Sequence, residues 1–293
     1  DYLEKIRFLK DKIISNISPN WSGACWGYNF DWQSRAFFLP KYTPTVVATS
    51  YISSALLDAY EIDCEKEILE IVKSSCEFII TDLKRTYDED GNFVFSYSPL
   101  DQAVVYNASL LGSRLLARVY SITHETKLIK AAQSSVSFCC NVQKPDGSWS
   151  YGSADFHKWI DNFHTGFNLE CISDYIKFTG DIKYQESLQK GFDYYIKTFF
   201  TENGIPKYYN NSVYPVDIHS SAQLIITLSR LGKIHEYKDL ADKVLHWTIA
   251  NMQSEGGYFY FQKNRIFTSK IPYMRWAQAW MFYALSEYRL KCN

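Results

Sequence analysis

The chain has 293 residues, 46% of them hydrophobic and 17% aromatic, enough for one large core or two ordinary ones. A formal net charge of −1 lacks the basic excess of a general nucleic-acid or membrane-surface binder, so no nucleic-acid partner is expected. No run approaches the ~18 apolar residues of a transmembrane helix.

Residues 2–15 read as an amphipathic helix with Leu3, Ile6, Leu9, Ile13 and Ile14 on one side. This charged start is unlike a secretory signal. The seven cysteines show no metal-type CxxC spacing and fall mostly in apolar helix patterns. Reduced, buried thiols and a cytoplasmic location are expected. Cys25, in a Gly-rich aromatic loop, reads as a packing residue. That loop, 19–42, is non-helical. Helices are expected at 44–60 and 64–86. Asp90-Gly91 then turns into an alternating strand, Asn92 to Tyr97.

Helices at 101–121 and 126–142 lead to the densest motif of the chain. It holds a turn (Pro145-Asp146-Gly147), an aromatic strand signal (Ser148 to Tyr151) and a polar segment ending in Asp161-Asn162-Phe163-His164. Further helices are expected at 164–178, 185–200, 218–231, 237–253 and 273–289. Between them, Asn203-Gly204 and Gly256-Gly257 turn into the strand-like runs 205–209 and 258–261. The turn glycines Gly27, Gly91, Gly147, Gly204 and Gly257 fall 64, 56, 57 and 53 residues apart, a repeat signature. Each unit is an amphipathic outer helix, a Gly-aromatic turn, and an inner helix with small and polar residues all round. The expectation is an all-α fold, one α/α toroid domain over residues 1–293. It would have about five to six helical hairpins and short β-hairpin turns at one mouth.

The segment Gln143-Lys144-Pro145-Asp146-Gly147-Ser148-Trp149 resembles the Gln-Trp repeat of the terpenoid cyclase and protein prenyltransferase superfamily. Gln253-Ser254-Glu255-Gly256-Gly257-Tyr258-Phe259 is a weaker copy. The cyclase acid motif DxDD is absent, since Asp88-Glu89-Asp90 is followed by Gly91, and so is DDxxD. Asp217-Ile218-His219 carries His where the prenyltransferase zinc motif has Cys, so neither metal nor cofactor is expected. Three further segments resemble VpsJ-like bacterial polysaccharide-biosynthesis proteins of the same toroid superfamily. They are Gly27-Tyr28-Asn29-Phe30-Asp31-Trp32-Gln33, Asp161-Asn162-Phe163-His164-Thr165-Gly166-Phe167-Asn168, and Asp217-Ile218-His219-Ser220-Ser221-Ala222-Gln223. That resemblance implies a role in capsule or exopolysaccharide assembly or modification, without fixing a reaction.

In such toroids the loops entering inner helices gather at one mouth. Candidate catalytic groups there are Asp31, Asp161, His164, Asp217 and His219. Candidate substrate-binding groups are Trp32, Arg35, Tyr106, Asn107, Lys158, Trp159, Asn162, Tyr214, Arg275 and Trp276. Asp161 and Asp217 also suit helix caps, and the two imidazoles suit satisfied core positions. What favours function is the recurrence of Asp then His at the same point of two successive repeats. Tryptophans beside charged residues offer faces to sugar rings, whereas Trp149 reads as repeat packing. Arg35, Lys158, Lys207 and Arg275 would attract carboxylates or phosphates, favouring an anionic oligosaccharide or polysaccharide partner. Three functions follow: a glycan-modifying enzyme (hydrolase, or uronate epimerase or lyase), a non-catalytic glycan-binding component, or a terpenoid- or prenyl-handling enzyme.

Overall fold

A computed structural model describes residues 2–292. Among them are ten α-helices, joined by short hairpins and turns. They run α1 (Tyr2–Ile14), α2 (Val46–Asp63), α3 (Lys66–Thr81), α4 (Tyr106–Thr123), α5 (Thr126–Asn141), α6 (Asn162–Thr179), α7 (Gln185–Phe199), α8 (Ile218–Arg230), α9 (Lys238–Met252) and α10 (Ala279–Cys292). The chain divides into two compact units. One holds residues 1–142, 152–155 and 174–182; the other holds 143–151, 156–173 and 183–293.

In the first unit, the inner helices α2 and α4 pack together and carry small residues where they meet. Ser50 and Ser53 are buried on α2, and α4 is buried on every face from Tyr106 to Ala117. A Cβ on Gly112 would come within 2.9 Å of the Val46 side chain, so close approach requires glycine there. Thr45 caps α2 by accepting the Ala48 N–H at 3.1 Å. The outer helices α3 and α5 each bury one apolar stripe, Ile68, Val72, Cys76 and Ile79 on α3. Helix α1 buries no residue fully, so its expected apolar side stays largely open. The strand expected after Asp90-Gly91 forms as Phe93–Phe95, antiparallel to Arg85–Tyr87. That pairing ends α3 at Thr81, short of the expected 86. Loop 19–42 contains a two-residue hairpin, Trp32–Gln33 against Phe38–Leu39.

The second unit contains α7 to α10, the first two turns and more of α6, and the turn around Gly147. Gly147 has φ +90°, and its backbone lies on the Lys190 carbonyl of α7, where an added Cβ would sit at 2.3 Å. Trp149 is fully buried beside Gly191 of α7, which confirms its packing role. The strand signal at 148–151 forms neither strand nor bridge, and those at 205–209 and 258–261 yield only single bridges, Phe200 with Pro206, Asp161 with Tyr209 and Gln253 with Phe259, in place of full strands. Short strands do form at Val216–Asp217, Gln262–Lys263 and Thr268–Ser269, in one sheet. The last helix does not begin regularly at Tyr273. A π turn, Met274–Gln278, precedes it, with the Gln278 N–H reaching the Tyr273 carbonyl at 3.2 Å. The Gln278 side chain is clamped to Phe259, accepting its N–H at 3.0 Å and donating to its carbonyl at 2.7 Å.

All seven cysteines are free thiols; Cys25, Cys76, Cys139 and Cys171 are buried and Cys64 is exposed. Burial, with the Asp82 charge adding to it, pushes the Cys25 thiol up to about 12, so it is an unreactive packing group. No described helix is long and apolar enough to cross a membrane.

Candidate functional site

Both Asp–His pairs lie in the second unit, at the starts of inner helices. The first N–H groups of a helix lack intrahelical partners, and an aspartate just before the helix satisfies them. Asp161 Oδ1 accepts the His164 N–H at 2.9 Å at the start of α6. Asp217 Oδ1 accepts the His219 N–H at 3.0 Å at the start of α8.

One residue of spacing then separates the two imidazoles. Three residues past the cap is the capping-box position, whose side chain folds back over the cap. His164 does so, placing Nδ1 2.7 Å from Asp161 Oδ2. Its other ring nitrogen has no hydrogen-bond partner among the described residues. The side chain keeps 22% exposure while the Asp161 side chain is sealed. Two residues past the cap is about 200° around the helix. His219 therefore points elsewhere, into a column of rings. Tyr208, Phe163, His219 and Trp280 stack in that order, with centroids 5.2, 4.7 and 4.3 Å apart and interplanar angles of 16°, 4° and 29°. Trp276 meets His219 edge-on at 4.6 Å.

Inside that column His219 is 1% exposed, and the polar group beside its ring is the Gln223 side chain, set off the geometry of a well-formed hydrogen bond. Burial, reinforced by the nearby charge of His164, holds its pKa well below the ordinary imidazole value, so it is neutral. One turn on, the Gln223 carboxamide is fixed from its far side, donating to Glu170 and Thr227 at 2.5 and 2.9 Å. Gly166 makes room for it, since a Cβ there would lie 2.5 Å from the Gln223 chain.

The caps differ electrostatically as well. Burial pushes Asp217 up to about 6, against hydrogen bonds from the His219 N–H, the Trp276 indole at 2.9 Å and Gln262 at 3.4 Å. The widened π turn carries the Trp276 indole that reaches Asp217. Asp161 takes an indole from its own segment: Trp159 Nε1 donates to Oδ2 at 2.9 Å, the oxygen that also faces His164. Tyr151 stacks on Trp159 at 4.6 Å and leans on the His164 ring at 4.6 Å. His164 thus stands between a bonded carboxylate and an aromatic wall.

The structure brings Asp161, His164, Trp159, Asp217, His219 and Trp276 into one cluster. Asn162 is buried beneath it and accepts the Tyr195 hydroxyl at 3.1 Å. Lys158 and Arg275 are exposed, and Tyr214 precedes the cis peptide at Pro215. The remaining candidates belong to the first unit. Asp31 is an exposed loop residue accepting the Lys41 N–H at 2.8 Å. Trp32 packs among Tyr28, Phe37 and Tyr97. Arg35 is exposed, and Tyr106 and Asn107 are buried at the start of α4. Sequence reasoning missed Tyr208, Trp280, Tyr151 and Gln262. For the three aromatic residues the only signal was aromatic density after the turns and in the last helix, and Gln262 carried none. Among the described residues, no group of three or more His, Cys, Asp or Glu side chains is arranged to hold a metal ion.

No protein-family model and no curated protein sequence matches the chain. Solved structures do match in fold. A sugar epimerase from a ruminal bacterium is 14% identical, with 100% of this chain and 83% of that one covered and a TM-score of 0.73. A cellobiose 2-epimerase from Spirochaeta thermophila is 12% identical over 99% and 82%, also with a TM-score of 0.73. A GH76 α-mannanase from Bacteroides thetaiotaomicron is 15% identical over 100% and 84%, with a TM-score of 0.67. The fold is the α/α toroid expected from the repeat.

Proposed function

We propose that the chain is a glycan-modifying enzyme, and that its reaction is epimerisation of a sugar at the carbon beside its carbonyl group. The observation that carries this reading is the Asp161–His164 dyad. A buried carboxylate holds Nδ1, and the opposite nitrogen is left without a protein partner. That is the arrangement of a general base. In this reading His164 takes the proton from carbon and the electron pair moves onto the carbonyl oxygen. A solvent water then protonates the opposite face as the electron pair on oxygen re-forms the carbonyl, which inverts the centre, and the proton held by His164 passes to solvent. His219 is neutral and so carries one ring N–H, which suits it to donate to the developing oxyanion. Half-buried Trp276 and Trp280 supply apolar faces for the sugar.

Epimerases among the fold relatives support the same chemistry. The caps support it too: Asp161 and Asp217 each accept three hydrogen bonds, which leaves little of either for attack at an anomeric carbon. A hydrolytic reading has one observation in its favour, the proton that Asp217 keeps up to about pH 6, as a general acid would. The finer assignments belong to this proposal: a single-domain enzyme acting on an oligosaccharide of capsule or exopolysaccharide metabolism. Exposed Arg275 and Lys158 favour a uronate-bearing one.

Incubation with reducing oligosaccharides in D2O, followed by NMR, tests it. Epimerisation incorporates solvent deuterium at the carbon beside the carbonyl without forming new reducing ends. Release of new reducing ends without deuterium would overturn epimerisation in favour of hydrolysis.

A further inference from the structure

Trp159 reads in sequence as a sugar platform, but its indole N–H is already committed. It donates to Asp161 Oδ2, the oxygen that faces His164 Nδ1 at 2.7 Å. The other oxygen, Oδ1, is held by the His164 backbone N–H. The carboxylate is therefore pinned at both ends, and rotation about its Cβ–Cγ bond would break one donor or the other. Stacking of Tyr151 on the indole, at 4.6 Å and 13°, keeps the donor in place.

We propose that Trp159 is a positioning residue: by locking the Asp161 carboxylate it keeps the His164 proton on Nδ1 and the lone pair on the outward-facing Nε2. This deepens the reading of His164 as the base and rests on it for its consequence in turnover. The tautomer of an imidazole is set by the hydrogen bond its other nitrogen makes, and a base in the wrong tautomer cannot accept a proton where the substrate lies. The groups facing the ring are Asp161 from the cap, Tyr151 from the turn segment and His219 from α8, with Phe163 and Phe167 from α6 itself. Of these, Asp161 is the one bonded to Nδ1. The Asp217 cap is a natural contrast. There the Trp276 indole shares Oδ1 with the backbone N–H, and no imidazole is bonded to the carboxylate.

The test is long-range 15N–1H NMR of the His164 ring in the substrate-free protein. Wild type should show a protonated Nδ1 and an unprotonated Nε2. Trp159→Phe keeps a ring against Tyr151 but removes the donor. A benzothienylalanine at the same position keeps the whole shape and removes only the N–H, so the test survives if the phenylalanine variant folds poorly. In both, the two nitrogen shifts should move toward each other as the tautomers mix. With a turned-over sugar, kcat should fall about 10- to 100-fold with KM little changed. An unchanged Nδ1–H signature in both variants overturns the proposal, as does a rise in KM alone, which would return Trp159 to a platform role. The NMR readout needs no substrate, so it stands or falls separately from the epimerase reading.

Discussion

Two helix caps in one unit begin alike and finish differently. Asp161 and Asp217 both accept the backbone N–H of a histidine and the N–H of an indole. In one, the imidazole returns to the cap and keeps an open nitrogen. In the other it is driven into an aromatic column and made neutral. The difference is one residue between cap and histidine, which becomes about 100° of helix rotation. A repeat can thus produce a candidate base and a candidate electrophile from nearly the same sequence.

His164→Asn should break the comparison most severely. Loss of a general base costs about 10²- to 10⁴-fold in rate, measured as deuterium incorporation, while the same change leaves the Asp161 cap to the backbone intact. Full retention of exchange in this variant would remove the dyad from the mechanism.

Asp217 should dominate the pH dependence of stability. Its pKa in the folded chain, about 6, lies above the ordinary carboxylate value of 3.8. Between those values the folded state binds more protons than the unfolded one, so stability falls as pH rises. Roughly two pH units of separation correspond to something on the order of 2–3 kcal/mol. Asp217→Asn keeps one acceptor oxygen for the cap and should remove that part of the slope. Urea titrations from pH 4 to 7 would show whether it does.

The smallest effect concerns His219. Two buried ring nitrogens without a well-formed hydrogen bond cost stability in the free protein. Replacing the ring by His219→Phe should preserve the column and raise stability by about 1–2 kcal/mol, read as a higher melting temperature. Activity should fall at the same time. A variant that gains stability and keeps full turnover would assign His219 to packing alone.

Much of this was legible in the chain. Helices α5 and α7 fall within about a residue of their expected bounds, because an apolar stripe and a flanking polar turn are local signals. The cap aspartates were legible for the same reason. What was not legible depends on partners far along the chain. The third helix stops early because Arg85–Tyr87 pairs with Phe93–Phe95. The π turn that aims Trp276 depends on the clamp between Gln278 and Phe259. Tyr208 joins the column through Phe163, 45 residues earlier, and no period in the sequence announces it. The recurrence of Asp and His was legible, and so was the one-residue offset between them, but not the aromatic column into which that offset turns His219.

The Tyr151–Trp159 stack has an optical consequence. An indole whose ring lies one tyrosine away from an imidazole, and whose N–H shares a carboxylate oxygen with it, senses that imidazole's charge in its excited state. Trp159 emission would then change when the contact between Asp161 and His164 changes. Among the eight tryptophans of the chain, it is the one built into the candidate base. Its emission therefore reports on the Asp161–His164 pair in the resting protein, without a substrate or a label.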